Sequence, residues 1–370
     1  MDQNSKYKFM ELALKLAAKA EGMTSPNPLV GAVLVRNGKI IGKGYHKKAG
    51  LNHAEIEAFE DARKKGNRIS NSDLYVSLEP CCHTGKRTPP CTEAIIREKI
   101  SRVFIGMNDP NPKVNGLGIK KLKKAGIKVE SGIFEEQSNK LNKVFIKHIT
   151  TGLPYVLLKM AVTLDGNIAT KSGDSKWIGS ETQRKYAHEL RNKMDSVLVG
   201  INTVLLDNPS LNVRINKKKV SQPVPLILDS NLKTPVTTNI LKIHDKAIIA
   251  CSKDAKQSRI RNLEYAGAIV LPLATDKHGH IRIKQFFKKL IKMDITSVLL
   301  EGGSKVAASA IKEGLVDEVN IFYSPKFIGG DAISMIAGLN IDKMANAISV
   351  SDINIKKIGQ EFIVEGYFNN

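Results

Sequence analysis

The chain has one tryptophan in 370 residues, four cysteines, and 36 acidic residues against 57 basic ones. So few cysteines cannot brace a chain of this length. Three of them, Cys81, Cys82 and Cys91, fall in one short stretch, while Cys251 stands alone. A disulfide framework would spread its cysteines, whereas a tight cluster points to metal or redox chemistry in a reducing compartment. No run approaches roughly 18 consecutive apolar residues, which argues against a membrane-spanning helix. Residues 1–21 mix Lys and Glu among Met10, Leu12, Leu14 and Leu16, the pattern of an amphipathic helix rather than of a secretory signal. The cytoplasm is therefore the expected location. Internal repeats and low-complexity segments are absent. No Gly-x-Gly-x-x-Gly follows a strand, which argues against a standard Rossmann site.

What is present in excess is positive charge, +21 at pH 7. Such a balance is compatible with nucleic-acid binding, because Lys and Arg neutralise phosphates without regard to sequence. Here the basic residues form no long block. The densest runs are 120–124 and 217–219, so the charge reads as a solvated surface rather than a nucleic-acid face. A positive field of this kind also attracts small phosphorylated substrates.

The length suits two domains. Residues 29–36 and 39–45 are apolar, β-branched runs joined by Asn37-Gly38, a strong hairpin signal. A helical pattern over 53–65, a short strand at 74–78, a proline-opened helix over 89–99, and strands at 102–106 and 127–130 follow. A helix is expected over 135–150, ending at Gly152 and Pro154, where the boundary between domains 1–150 and 151–370 is set. The second half alternates again. Strands are expected at 155–161, 196–200, 224–229, 246–251, 268–271, 297–301 and 318–323, with helices at 181–193, 283–292 and 305–314. This is an α/β pattern with a mainly parallel sheet, which binds ligands beyond the C-terminal ends of its strands.

Chemistry concentrates first around His53-Ala54-Glu55, Pro80-Cys81 and Cys91. One imidazole and two thiolates leave a zinc ion an open position, the mark of a catalytic rather than a closed site. Glu55 stands two residues from the histidine, so both reach one centre only if the helix points its N-terminal end at the metal. Cys82, next to Cys81, is an alternative donor; Cys81 is favoured because it directly follows Pro80. His-x-Glu with Pro-Cys…Cys is the signature of zinc nucleobase deaminases. Residues 25–33 (Ser-Pro-Asn-Pro-Leu-Val-Gly-Ala-Val), His53-Ala54-Glu55 and Glu79-Pro80-Cys81-Cys82-His83…Thr88-Pro89-Pro90-Cys91 together resemble the deaminase domain of the bifunctional riboflavin-biosynthesis deaminase/reductase family. The resemblance implies zinc ligands His53, Cys81 and Cys91, Glu55 as general acid/base, and Asn27 as a contact to the pyrimidine. Lys86 and Arg87 stand where the family pattern has one residue. The basic loop of His83, Gly85, Lys86 and Arg87 suits a phosphorylated substrate.

In the second half, Leu299-Leu300-Glu301-Gly302-Gly303-Ser304 ends a strand and opens a helix, where paired glycines and unpaired N–H groups can receive a phosphate. With Lys159-Met160-Ala161-Val162-Thr163-Leu164-Asp165-Gly166, Ser175-Lys176-Trp177-Ile178, Asp207-Asn208-Pro209 and Leu211-Asn212-Val213-Arg214, this resembles the reductase domain of the same family. The fold implied is α/β: an N-terminal cytidine-deaminase-like three-layer domain and a C-terminal dihydrofolate-reductase-like domain. The resemblance assigns NADPH to Ala161, Trp177, Thr203, Asp207, Ser230 and the 303–309 turn with Gly303, Ser304 and Lys305. It assigns the phosphoribosyl substrate to Ser175, Arg191, Leu211, Arg214 and Glu301. Arg191 and Arg214 can each clamp a phosphate bidentately. The implied reactions are hydrolytic deamination of a phosphorylated diaminopyrimidinone and NADPH reduction of its ribosyl chain. Zinc and NADPH are the cofactors, the partner is the small phosphorylated pyrimidine, neither nucleic acid nor membrane is expected, and a homo-oligomer is.

Overall fold

The computed structural model describes residues 3–82, 89–112, 114–216 and 220–369. It divides into two compact units, Met1–Gly152 and Leu153–Asn370.

The first unit runs α1 (Gln3–Ala17), β1 (Gly31–Arg36), β2 (Lys39–Tyr45), α2 (Ala54–Lys64), β3 (Asp73–Leu78), α3 (Cys91–Arg97), β4 (Arg102–Met107), α4 (Leu117–Lys124), β5 (Lys128–Ser131), α5 (Glu135–Leu141) and α6 (Lys143–Thr151). Asn37 and Gly38 both sit at positive φ, 50° and 74°, as a two-residue hairpin turn requires. The sheet order is β2-β1-β3-β4-β5, antiparallel on the hairpin side and parallel from β3 onward. Alternation along β1 divides the core. Ala32 and Leu34 pack with Ala58, Phe59 and Ile95 on one face; Val33 and Val35 pack with Phe9, Met10 and Ala13 of α1 on the other. The unit is thus three-layered, as the resemblance implied. The single helix expected over 135–150 is two helices. They break at Asn142, whose buried amide bonds both polar groups of the Leu29 backbone, at 2.8 and 3.1 Å.

The second unit runs β6 (Tyr155–Thr163), β7 (Asn167–Ala169), α7 (Glu181–Lys193), β8 (Ser196–Gly200), α8 (Ile201–Asp207), β9 (Val224–Leu228), α9 (Asn239–Ile243), β10 (Ala247–Ser252), α10 (Gln257–Tyr265) and β11 (Ala268–Leu273). It continues through α11 (Ile283–Ile291), β12 (Ser297–Leu300), α12 (Ser304–Lys312), β13 (Glu318–Ser324), β14 (Ile333–Ser334), β15 (Val350–Ile358) and β16 (Glu361–Phe368). The main sheet has the order β11-β10-β9-β8-β12-β6-β13-β16-β15. It is parallel from β11 to β13 and closes with an antiparallel pair, β16 and β15. That terminal hairpin was not among the expected strands. Val156, Leu158, Met160 and Val162 of β6 face a core shared with Phe286, Phe287 and Leu290 of α11 and Ala307, Ala310 and Ile311 of α12. Leu157, Lys159 and Ala161 therefore project from the opposite face. Because neighbouring strands run parallel, the segments after β9, β8, β12 and β6 emerge together at one end of the sheet. Among the described residues no helix is long and apolar enough to cross a membrane.

Candidate active sites

In the first unit the sheet and two helix starts converge on one centre. His53 is the extended N-cap of α2, Cys81 follows β3, and Cys91 opens α3. His53 Nδ1 lies 3.2 Å from Cys91 Sγ and 3.6 Å from Cys81 Sγ, and the three donor atoms lie within 4.8 Å of one another. Tetrahedral bonds of about 2.0 Å to nitrogen and 2.3 Å to sulfur would set such donors about 3.5 Å apart, so the donor set fits zinc. Cys81 Sγ also accepts from the Cys91 backbone N–H at 3.4 Å. The hydrogen bond from Cys91 draws the Cys81 thiol far down, helped by His53. The same bond, with burial, pushes the Cys91 thiol up. Cys82 is half-buried and stands outside this donor group.

Glu55 occupies the first turn of α2 and is 3% exposed. Burial raises its carboxyl pKa, opposed by the charge of His53. A carboxyl that holds its proton more readily than usual is suited to carry one between water and substrate. Asn27 is half-buried, and its amide Nδ2 lies 3.1 Å from Nε2 of the buried His46. His46 was not singled out from sequence; a lone histidine after a strand carries no local signal. Nor was Glu79, whose buried carboxylate accepts from the backbone N–H groups of Asp109, Gly116 and Ile119 and so ties the chain after β4 to the residue before Pro80-Cys81. His83, Gly85, Lys86 and Arg87 lie outside the described residues.

In the second unit the expected residues gather at the C-terminal strand ends. Ala161 is on β6, Thr203 and Asp207 are on α8 just after β8, and Ser230 follows β9. Glu301, Gly303, Ser304 and Lys305 follow β12. A Cβ on Gly302 would come within 3.1 Å of the Gly200 nitrogen, so this glycine lets the ends of β8 and β12 touch. A Cβ on Gly303 would meet only Thr203 Oγ1, at 3.8 Å. The first-turn N–H groups of Ser304 and Lys305 donate to no described residue, which fits a phosphate-bearing cofactor. Asp207 takes a hydrogen bond from Ser175 and lies near Lys176; burial raises its carboxyl pKa against both. Trp177 is 64% exposed, with the Arg184 guanidinium 4.5 Å from its ring centroid. It is therefore a surface rather than a core residue. Asp165, read from sequence as a turn residue with Gly166, also accepts from the Ile328 and Gly329 N–H groups and joins that turn to a distant loop.

The geometry alters two sequence expectations. Arg191 does not offer its fork to a phosphate: Nε and Nη2 engage Glu301 and Nη1 donates to the Asn212 carbonyl. Arg214 remains exposed, bonded to Asn212 Oδ1, and can still meet a phosphate. Leu211 sits at φ 50° with its side chain buried, so its backbone is the part that can face a ligand. Lys159 was missed as a site residue. Its ammonium lies 5.0 Å from the Phe322 ring centroid and is sensitive to the charges of Glu301 and Arg191; burial lowers its pKa, with Glu301 opposing. The available signal was a lysine interrupting the apolar alternation of β6.

These two sites define the class: a His/Cys/Cys centre of the zinc deaminase type in one unit, and in the other a parallel-sheet strand end with helix N–H groups free among the described residues and suited to a phosphate-bearing cofactor. Residues 3–107 match the cytidine and deoxycytidylate deaminase zinc-binding region, and residues 154–364 match the RibD C-terminal domain. The riboflavin biosynthesis protein RibD of Aquifex aeolicus is 42% identical, over 96% of both chains. That of Escherichia coli is 35% identical, over 95% of this chain and 96% of its own. The solved deaminase/reductase of Thermotoga maritima superposes with a TM-score of 0.87 at 37% identity, covering 99% of each chain. Acinetobacter baumannii RibD does so with 0.89 at 34%, over the whole of both chains. The chain belongs to the RibD family of riboflavin-biosynthesis enzymes, with a zinc-binding deaminase domain and a reductase domain of the NADPH-using type.

Proposed function

We propose that residues 1–150 deaminate 2,5-diamino-6-(5-phosphoribosylamino)pyrimidin-4(3H)-one to 5-amino-6-(5-phosphoribosylamino)uracil, and that residues 151–370 then reduce the ribosyl chain to ribityl. The observation that carries this reading is the convergence of His53, Cys81 and Cys91 beside the buried Glu55. His53, Cys81 and Cys91 would hold a zinc ion, which would supply Lewis acidity and lower the pKa of water to about 7. Glu55 would take one proton from the attacking water and give it to the ring nitrogen, then pass the remaining hydroxyl proton of the adduct to the amine, which departs as ammonia while the carbonyl forms. Asn27 orients the pyrimidine. In the second unit NADPH supplies the hydride; Thr203, Asp207, Ser230, Gly303, Ser304 and Lys305 bind it, with Ala161 and Trp177 against it. Ser175, Arg214 and the Leu211 backbone hold the phosphoribosyl group. Arg191 keeps Glu301 ionised and aimed, and the Lys159 ammonium feels the charge of that carboxylate. The partner is this small phosphorylated molecule rather than nucleic acid, and the working form is a cytoplasmic homo-oligomer.

Ammonia release from the phosphorylated diaminopyrimidinone, with NADPH oxidation followed in the same cuvette, tests the reading. Both signals should be seen with zinc-loaded protein. Glu55→Ala should abolish both, and NADPH oxidation should return when the deaminated intermediate is supplied. Neither signal from the unaltered protein would refute the assignment.

A further inference from the structure

His46 follows β2 with its ring buried, 3% exposed. Its Nδ1 is 3.0 Å from the carbonyl oxygen of Asn52. A carbonyl only accepts, so Nδ1 carries the proton, and in a neutral imidazole Nε2 is then an acceptor. Nε2 is the atom 3.1 Å from Asn27, so the amide nitrogen of Asn27 faces it and donates. This chain of two hydrogen bonds decides which way the Asn27 amide points. Its Oδ1 is turned away from His46 and has no donor among the described residues. The His46 ring also packs edge-on against His53, with centroids 5.5 Å apart, so one ring sets Asn27 relative to a metal donor.

We infer that His46 is a positioning residue of the deaminase, holding the Asn27 amide so that Oδ1 is offered to an N–H or O–H group of the pyrimidine substrate. The inference rests on the reading that Asn27 contacts the pyrimidine. An amide turned the other way would present donors and reject the same edge of the ligand. The selection is made by His46, which need not touch the substrate.

Two substitutions separate its atoms. In His46→Asn the short amide can still donate to the Asn52 carbonyl but cannot reach Asn27. In His46→Gln the longer side chain brings a carbonyl to the place of Nε2 and accepts from Asn27. Loss of one directing hydrogen bond should lower kcat/KM for ammonia release about tenfold in His46→Asn, mainly through KM. His46→Gln should recover to within about threefold of the unaltered protein. In an Asn27→Ala background His46→Asn should cause no further loss. Zinc content and NADPH oxidation with supplied intermediate should be unchanged throughout. Dissociation constants of the deaminated pyrimidine, measured by calorimetry on zinc-loaded protein, should follow the same order. His46→Asn at full activity, His46→Gln as impaired as His46→Asn, an undiminished loss in the Asn27→Ala background, or loss of zinc would each overturn the inference while leaving the deaminase reading intact. An unaltered protein that neither releases ammonia nor binds the pyrimidine overturns both.

Discussion

Glu301 holds Arg191 by both prongs of its fork, Oε1 to Nε at 2.7 Å and Oε2 to Nη2 at 2.8 Å. The side chains are 10% and 14% exposed, so water screens the pair little. Burial alone would raise the Glu301 carboxyl, but the Arg191 charge and hydrogen bonds outweigh it and hold the pKa at about 2. The same pair fixes the carboxylate beside Lys159 at the strand end where NADPH is expected.

The acid dependence of stability follows from that depression. A carboxyl with a folded pKa below its unfolded value of about 4.3 stabilises the fold above that value, and the stabilisation is lost as pH falls toward about 2. Arg191→Met leaves Glu301 buried without its partner, a change that costs about 3–5 kcal/mol. The cost should be largest at pH 7 and decline through pH 5 to pH 3, as the variant's carboxyl, raised by burial once Arg191 is gone, takes up its proton. Urea unfolding at these three pH values measures it; an equal cost at all three would contradict the assignment.

The two adjacent glycines should fail in different ways. Gly302→Ala drives a Cβ to 3.1 Å from the Gly200 nitrogen and 3.2 Å from the Val199 Cα, so strand ends must part and the melting temperature should fall. Gly303→Ala meets only Thr203 Oγ1 at 3.8 Å, at a φ of −61° that alanine adopts freely. Its stability should be near that of the unaltered protein. The KM for NADPH should rise several-fold if, as proposed, the cofactor phosphate meets the Ser304 and Lys305 N–H groups, where the new methyl would stand. Thermal melts and NADPH titrations separate the two effects.

Removing zinc should stop deamination without unfolding the chain. The three donors are not members of the two apolar clusters that build the core of the unit on either face of its sheet. A small zinc module with no such core unfolds when stripped of metal. After dialysis against a chelator, circular dichroism should retain its helical signal and reduction of supplied intermediate should continue, while ammonia release disappears and returns with added zinc. Collapse of the dichroism signal would mean that the metal is structural.

Much of the fold could be read locally. Asn37-Gly38 specifies a tight turn because both residues tolerate positive φ. The 181–193 helix is framed by Ser180, which accepts from the Gln183 N–H as its cap, and β8 was marked by its apolar run. The break between α5 and α6 was not legible, because Asn142 looks like an ordinary helical position until Leu29 is folded against it. The β15–β16 hairpin was missed although Gly359-Gln360 marks its turn. Most of β15 is solvent-exposed, so its sequence carries little of the alternation that betrays a strand.

The zinc donors and Glu55 were legible for a related reason. A metal site needs particular atoms, and their residue types at strand and helix ends stand out from any background. Glu79 and His46 carry no such signature, since each is unremarkable until its partner is known, and Lys159 shows only as a break in the apolar run of β6.

By itself the sequence determined the two α/β halves, the grouping of His53, Cys81 and Cys91 with Glu55 close by, and the glycine turn after β12. Each depends on backbone preferences or ligand chemistry expressed within a few residues. Only the tertiary structure decided that Arg191 would grip Glu301, 110 positions away, rather than a phosphate, and that His46 would face Asn27. Which side chains meet across a sheet depends on strand order and register, and these are set by the packing of the whole core rather than by any one segment.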